Sequence, residues 1–565
     1  MTWMKSLFLL ALFLFSPPAS AISESPIGNP NAPKGGTFIV GFPGYPKHIL
    51  FYLGFDEFSA GINAATFDSL LDQHPDTYDF IPLLAESWTI SPDKKLFTFK
   101  LNKAARFSDG KPVTSADVKF TWDTILNPKN KTVPMQSVYH SFTSCEVIDP
   151  QTIKFTAKTV HFKNLEKLAG LIVLPKHFYA QGDFNKAFHS KLLGSGPYVL
   201  ESLKTNERII LKRNPQYWAA GLFQNIGRYN FDKIIYRSVP DYTVQHEMFK
   251  KGELDYFYFL SSKMWATETS EGPYAKNYIT KIKAENLAPA GTQGIVWNLR
   301  RPLFQDVKVR TALSHLMNRE LWIKELFYNN YVPATGPVAV SSDFHSPNNK
   351  PVPYDPKSAQ KLLAEAGWKP GPDGFLQKNG MRFEFELLTD SKGSERYLTR
   401  YQDDLKKAGI KMSIRVTDWA TSIKLVDDWQ FDAKEQSRGR DIDPGDFAVA
   451  WGSAEADKKG SANSPGYKNP EVDKLAAEID LSFDKKKRIE LVRKLDEIIG
   501  RDQPLSFAWE PTFFRIAHWN KFSYPDGKPY RRYSTWLSSY HFWWADSARE
   551  AKLKKAVAAK TPFTE

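Results

Sequence analysis

A group of charged side chains of both signs on a turn-rich segment lies in the run EQSRGRDIDPGD, Glu435 to Asp446. Glu435, Arg438, Arg440, Asp441, Asp443 and Asp446 fall within it, broken by Gly439, Pro444 and Gly445. Both signs of charge on a turn-rich segment suit a solvated loop, a calcium loop or the wall of a polar pocket. Calcium fits poorly, because the spacing of Asp441, Asp443 and Asp446 matches no standard calcium loop and two Arg intervene. The aromatic residues favour a pocket. There are 16 Trp, 24 Tyr and 40 Phe, and several Trp sit beside charges or Gly: Asp418-Trp419, Asp428-Trp429, Ala450-Trp451-Gly452 and Trp509-Glu510. Pockets for polar organic ligands use this mixture: aromatic walls remove apolar area from water and a few charges fix orientation.

Catalytic signatures are missing. His246-Glu247 has no second His at zinc-protease spacing, and there is no GxSxG, GxxxxGK or strand–GxGxxG–helix unit. Gly194-Ser195-Gly196-Pro197 reads as a tight turn before a strand, not a nucleophile elbow. The 11 His are scattered. The one cysteine, Cys145, excludes an intramolecular disulfide framework and a cysteine zinc site, and its alternating surroundings suit a buried small hydrophobe. No catalytic residue, resident metal or cofactor is expected.

The elements that must position these residues are mixed α/β. Lys95 to Leu101 alternates apolar and polar residues, the period of a half-buried strand. Thr114 to Asp117 resembles a helix start, with Val118, Phe120, Trp122 and Leu126 following. Asp306 to about Phe327 reads as one helix with a stripe of Val309, Leu313, Leu316 and Met317. Asp355-Pro356 opens another helix, which Gly367 closes where a left-handed residue is needed. Two charged helices fill about 470–500, and the cluster Lys485 to Arg488 reads as a solvated face. Strands are expected at Ser506 to Trp509, Thr512 to Ala517 and His541 to Trp544. Repeats and low-complexity linkers are not visible.

The chain has 565 residues, room for two to four domain-sized units. At 42 % hydrophobic and 25 % charged it is globular in composition. Its net charge of +13 raises nucleic acid or an anionic surface as partners. The first 21 residues argue against nucleic acid. Lys5, the nine apolar residues Leu7 to Phe15, and the small-x-small Ala19-Ser20-Ala21 form a Sec-type signal peptide. Ile22 follows instead of a Cys, so lipid anchoring is not expected. The exported chain would begin at Ile22 and, having lost Lys5, carry +12.

An ordered set of blocks resembles the family 5 extracellular solute-binding proteins over nearly the whole exported chain. It begins with Ala85-Glu86-Ser87-Trp88 and the DGKPVTSADV run Asp109 to Val118. Gly194 to Tyr198, Asn214 to Trp218, Lys251 to Asp255, Val309 to Leu313 and Tyr354-Asp355-Pro356 follow, and Tyr467 to Asp473 comes late. Within the family, Asn29 to Gly36, Arg228 to Asp232 and the Trp543-Trp544 pair resemble the YejA-type branch, linked to oligopeptide and microcin C import.

The resemblance implies an α/β fold of periplasmic-binding-protein type II, two lobes with a hinge and an inserted subdomain, cluster C-like. Lobe I would comprise 22–64, 191–297 and 508–565, the subdomain 65–190 and lobe II 298–507. The implied function is a monomeric periplasmic receptor that captures oligopeptides or peptide-like compounds and delivers them to the permease subunits of an inner-membrane ABC importer, with no nucleic-acid partner. Muropeptides, metallophores or nickel are alternatives on the same fold, and a secreted peptide hydrolase is an alternative of another class. Asp441 is implied as the partner of a peptide α-amino group and Trp419 as a wall. Relatives often carry an aromatic near Arg438, so Arg438 is a departure that could meet a ligand carboxylate or phosphate. Asp443 is the fallback amine partner. Arg440, Tyr45 and Trp509 complete the expected lining.

Overall fold

The computed structural model describes residues 25–564 apart from 55, 187, 189, 288–290 and 440. The expected signal peptide over 1–21 and Arg440 lie outside the described residues. The chain builds three main sheets. A seven-stranded sheet runs in the spatial order 279–284, 514–519, 256–258, 37–42, 233–238, 208–213 and 198–204. A six-stranded sheet runs 332–333, 505–510, 292–297, 433–438, 384–389 and 411–416. The third sheet is antiparallel, in the order 85–90, 96–101, 152–157 and 142–149.

Period-two patterning explains how the six-stranded sheet carries two cores. Ile295 and Trp297 join one buried cluster with Phe385, Leu387 and Trp322. Val296 between them faces the other cluster, with Leu388, Leu505 and Ile499. Successive side chains on a strand point to opposite faces, so a sheet with helices on both sides reads as continuous apolar runs. The seven-stranded sheet packs Phe38, Tyr236, Tyr256 and Ile516 against the C-terminal segment, with Tyr540 and Trp543 fully buried there. The four-stranded sheet has its own core around Phe97, Phe99, Phe155 and Trp122.

The chain passes between the two large sheets twice. The first passage follows strand Ile279–Ala284 and the second is Pro511 to Phe513. Strands Thr292–Trp297 and Leu505–Glu510 both pair within the six-stranded sheet. The passages therefore fall at 285–291 and 511–513, and the lobe limits drawn from the sequence at 297/298 and 507/508 do not coincide with them.

Local chemistry explains where other elements begin and end. Thr114 precedes helix Ser115–Leu126, and Asp117 accepts from the Thr114 backbone N–H at 3.0 Å and hydroxyl at 2.7 Å. Helix Pro356–Glu365 ends before Gly367, whose φ of 88° is the left-handed conformation glycine adopts without a Cβ penalty. The expected single helix from Asp306 is two, Val307–His315 and Arg319–Glu325. Asn318 interrupts it because its side chain caps the second helix, accepting from Leu321 N–H at 3.2 Å. The expected strand His541–Trp544 is a tight turn over Ser539–Phe542 followed by the two-residue strand Trp544–Ala545. Asn230 donates to the Trp543 carbonyl at 2.9 Å, and the Trp543 indole donates to Pro529 at 2.8 Å. The segment is a plug in the core, so its backbone finds partners outside a ladder. No helix among the described residues is long and apolar enough to cross a membrane.

Candidate functional site

The largest cavity described, about 870 Å³, lies between the two large sheets. Tyr258, Leu260 and Arg515 line it from the seven-stranded side, and Trp419, Glu435 and Trp509 from the six-stranded side. A neighbouring cavity of about 260 Å³ is lined by Arg438, Asp441, Asp446, Trp451 and Thr292. Strand Ala433–Arg438 connects them, since Lys434 to Ser437 face the large cavity and Arg438 the small one. A third cavity of about 320 Å³, around Asp68 and Arg228, is lined by the seven-stranded lobe and the inserted sheet unit alone.

The aromatic walls are held in different ways. Trp509 is 5 % exposed, with its ring 4.7 Å from Phe327 and 4.9 Å from Tyr397. It is fixed core whose edge reaches the cavity. Trp419 is 69 % exposed at the start of helix Trp419–Asp427, which Asp418 caps by accepting from Thr421 N–H at 3.0 Å. Ile423, four residues on, shares its helical face and also lines the cavity. The pair forms an apolar surface at the cleft that the protein itself leaves uncovered.

The carboxylates of the cleft are occupied. Glu435 accepts from the Thr389 hydroxyl at 2.8 Å, Tyr397 at 2.9 Å and Ser394 at 3.1 Å. Asp390 takes the Lys434 ammonium at 2.8 Å. Asp441, the expected amine partner, receives Lys163 Nζ at 2.5 Å. Lys163 comes from the loop after the four-stranded sheet, and its side chain is 7 % exposed. Burial opposes its charge, but Asp441, Glu166 and Asp446 outweigh that and hold its ammonium above the usual pKa range. Asp446 lies 3.6 Å from Lys163 and 3.3 Å from His161 Nε2. The adjacent His161 imidazole, aided by Lys163 against burial, holds Asp446 down to about 2. His161 also reaches Asp480 at 3.2 Å.

This contact docks the inserted sheet unit on the six-stranded lobe. Phe162 N–H donates to the Asp480 carbonyl at 2.9 Å, and the Arg488 guanidinium lies 4.2 Å from the Phe162 ring centre. Gly445 is needed here, because a Cβ would come within 2.7 Å of the Phe162 ring. Asp443 is bound at 2.6 Å by Arg488, which is buried. Arg488 is thus not part of a solvated face, and Asp443 lines neither cleft cavity. Among the described residues no group of three or more His, Cys, Asp or Glu could hold a metal ion.

The guanidinium groups of the cleft are not matched in this way. Arg515 is 5 % exposed and donates to the carbonyls of Phe259 at 3.1 Å and Leu260 at 3.2 Å, and to the Tyr331 hydroxyl at 3.1 Å. Its Nη1 is buried without a protein partner, as is Gln436 Oε1 on the opposite wall. Arg438 stacks over Trp451 at 4.6 Å and donates to Ser464 Oγ at 3.0 Å, and burial lowers it to about 10. Arg396 lies 5.1 Å from the Phe327 ring centre. Among the described residues no carboxylate pairs with any of the three.

The structure therefore brings Trp419 and Trp509 to the large cavity, and Arg438 and Asp441 to the small one. Tyr45 packs half-buried against the seven-stranded core and lines neither. Sequence reasoning missed Lys163, His161 and Arg515. Only Arg515 leaves a local signal, a charge inside the apolar strand run FRIA.

The profile of the bacterial extracellular solute-binding proteins, family 5 Middle, matches residues 79–459. The uncharacterized protein YejA of Escherichia coli K12 is 29 % identical, covering 97 % of this chain and 98 % of its own. The probable peptide-binding protein YejA of Agrobacterium fabrum is 28 % identical over 89 % and 88 %. Among solved structures, the oligopeptide-binding protein AppA of Bacillus subtilis, in complex with a nonapeptide, superposes with a TM-score of 0.71. It is 25 % identical and covers 91 % of this chain and 99 % of its own.

Proposed function

Starting from the chain's membership of the family 5 bacterial extracellular solute-binding proteins, which makes it a solute-binding protein and not an enzyme, we propose that it captures oligopeptides or peptide-like compounds. In this reading the seven- and six-stranded lobes close on the ligand, and the inserted unit caps one end of the cleft. The protein is exported by a cleaved signal peptide over 1–21, acts in the periplasm as a monomer, and hands its ligand to the permease subunits of an inner-membrane ABC importer. Microcin C-like peptides and muropeptides fall within the same ligand class.

The observation that carries this reading is the interlobe cavity of about 870 Å³, walled by Trp419 and Trp509 and reached by charged groups from both lobes. A ligand touching both walls stabilises the closed arrangement by its differential contacts, with two chain passages as the hinge. Trp419, Trp509, Arg438 and Asp441 are the residues we assign to the cleft. The test is incubation with a mixed tripeptide and hexapeptide library, gel filtration, and mass spectrometry of both fractions. A receptor retains a subset of peptides intact. Cleavage products, or no peptide in the protein fraction, would contradict the proposal.

A further inference from the structure

We infer that the cleft selects peptide-like ligands whose amino end is blocked and which carry a free carboxylate. The inference rests on the peptide-receptor reading above and adds the charge of the ligand to it.

The argument is an inventory of charge. The described carboxylates lining the two cavities are Asp390, Glu435, Asp441 and Asp446. Lys434 holds the first, three hydroxyls hold the second, and Lys163 and His161 hold the last two. A ligand ammonium arriving at Asp441 would share that carboxylate with Lys163, whose ammonium already sits 2.5 Å from Oδ2. That ammonium is buried, and among the described residues its anionic neighbours are Asp441, Asp446 and Glu166. Two ammonium groups on one carboxylate repel each other, and pushing the buried Lys163 off would leave a costly unpaired charge. The protein has supplied its own ammonium at the position where a free peptide amino group would otherwise be required.

The cations tell the opposite story. Arg515 is held in place by two carbonyls and a hydroxyl, all neutral, and its buried Nη1 still lacks an acceptor. Arg438 and Arg396 line the same cleft without a carboxylate among the described residues. A guanidinium with spare donors in a dry wall is the standard complement of a planar carboxylate. Gln436 Oε1, also unpartnered in the large cavity, supplies an acceptor for a peptide N–H.

The experiment presents the full-length exported protein with a random tripeptide library in four end-group forms, distinguished by isotope label. The forms are free or N-acetylated at the amino end, and free acid or amide at the other. Retained species are read by native mass spectrometry. The expected result is that the acetylated acids are retained several-fold better than the free-amine acids, and at least tenfold better than the acetylated amides. Arg515→Gln should bring the acid-to-amide ratio near one. Lys163→Met, which vacates Asp441, should raise retention of free-amine forms about tenfold. If either variant does not fold, the four-way comparison on the unaltered protein still decides. Free-amine acids retained as well as or better than acetylated acids, or equal retention of acids and amides, overturns the inference and leaves the peptide reading standing. Retention of no form overturns both.

Discussion

The two ends of the cleft share one strand, Ala433–Arg438, yet are finished differently. At the end that meets the inserted sheet unit, the three loop carboxylates have cations from the protein: Asp441 and Asp446 have Lys163, and Asp443 has Arg488. At the end beneath the second chain passage, Arg515 has only neutral partners and a spare donor. The contrast separates charges that hold the molecule together from charges kept for something outside it. A paired, half-buried carboxylate is structural until a ligand can outcompete its partner. A buried cation without an anion lowers stability, and a fold retains it where a ligand completes it.

The largest effect should come from breaking the paired end. Asp443→Ala leaves the buried Arg488 guanidinium without its carboxylate, a class of change that costs about 3–5 kcal/mol. Chemical denaturation should show a clear loss of stability, while any peptide that still binds keeps its acid-to-amide preference. A change in that preference would place Asp443 in the ligand site. Next, Arg515→Gln should weaken a carboxylate-bearing peptide by about tenfold to a hundredfold, about 1.4 kcal/mol for each tenfold, by calorimetry. Its amide counterpart should bind unchanged.

Trp419→Ala should be smaller and confined to binding. The side chain is 69 % exposed, so stability should stay within about 0.5 kcal/mol. Affinity for peptides with apolar side chains should fall by up to about tenfold. An unfolding shift as large as that of Asp443→Ala would contradict the view of Trp419 as an uncovered wall.

The smallest effect is pH dependence at the docked end. Burial opposes protonation of His161, but the close Asp446 and Asp480 carboxylates, 3.3 and 3.2 Å away, outweigh this and raise its pKa above the ordinary 6.5. A raised value means the charged form is favoured when docked. The contribution is therefore complete below 6.5 and is lost as pH rises through the raised value. Docking, followed by fluorescence transfer between the inserted unit and the six-stranded lobe, should loosen from pH 6 to 8, by less than about 1 kcal/mol. His161→Gln should flatten the profile. A profile that tightens toward pH 8 would reverse the assignment.

Much of the fold could be read in advance because its signals are local. Thr114 with Asp117, Asp355-Pro356 with Gly367, and the alternation of Lys95 to Leu101 each mark an element within a few residues. The misreadings arose where distant groups compete. Asn318 had to be recognised as a cap inside an apolar stripe, and His541 to Trp544 as a plug held by Asn230. The site was legible by type and not by pairing. Trp419, Trp509, Arg438 and Asp441 stand out by residue type and neighbours, but the Lys163–Asp441 contact joins positions 278 residues apart. Nothing around Lys163 distinguishes it from the other lysines. A pairing of that range is made by the packing of one folded unit on another, and no window of sequence contains it.

The most direct test of a receptor with a charge-selective cleft is native mass spectrometry of the protein purified gently from its own cells, with and without an amine-reactive label on the released ligand. The account predicts a discrete mass excess that fragments as a peptide, takes no label at its amino end, and carries a free carboxylate. A bound species with a free α-amino group, or a metal ion as the only excess mass, would contradict it.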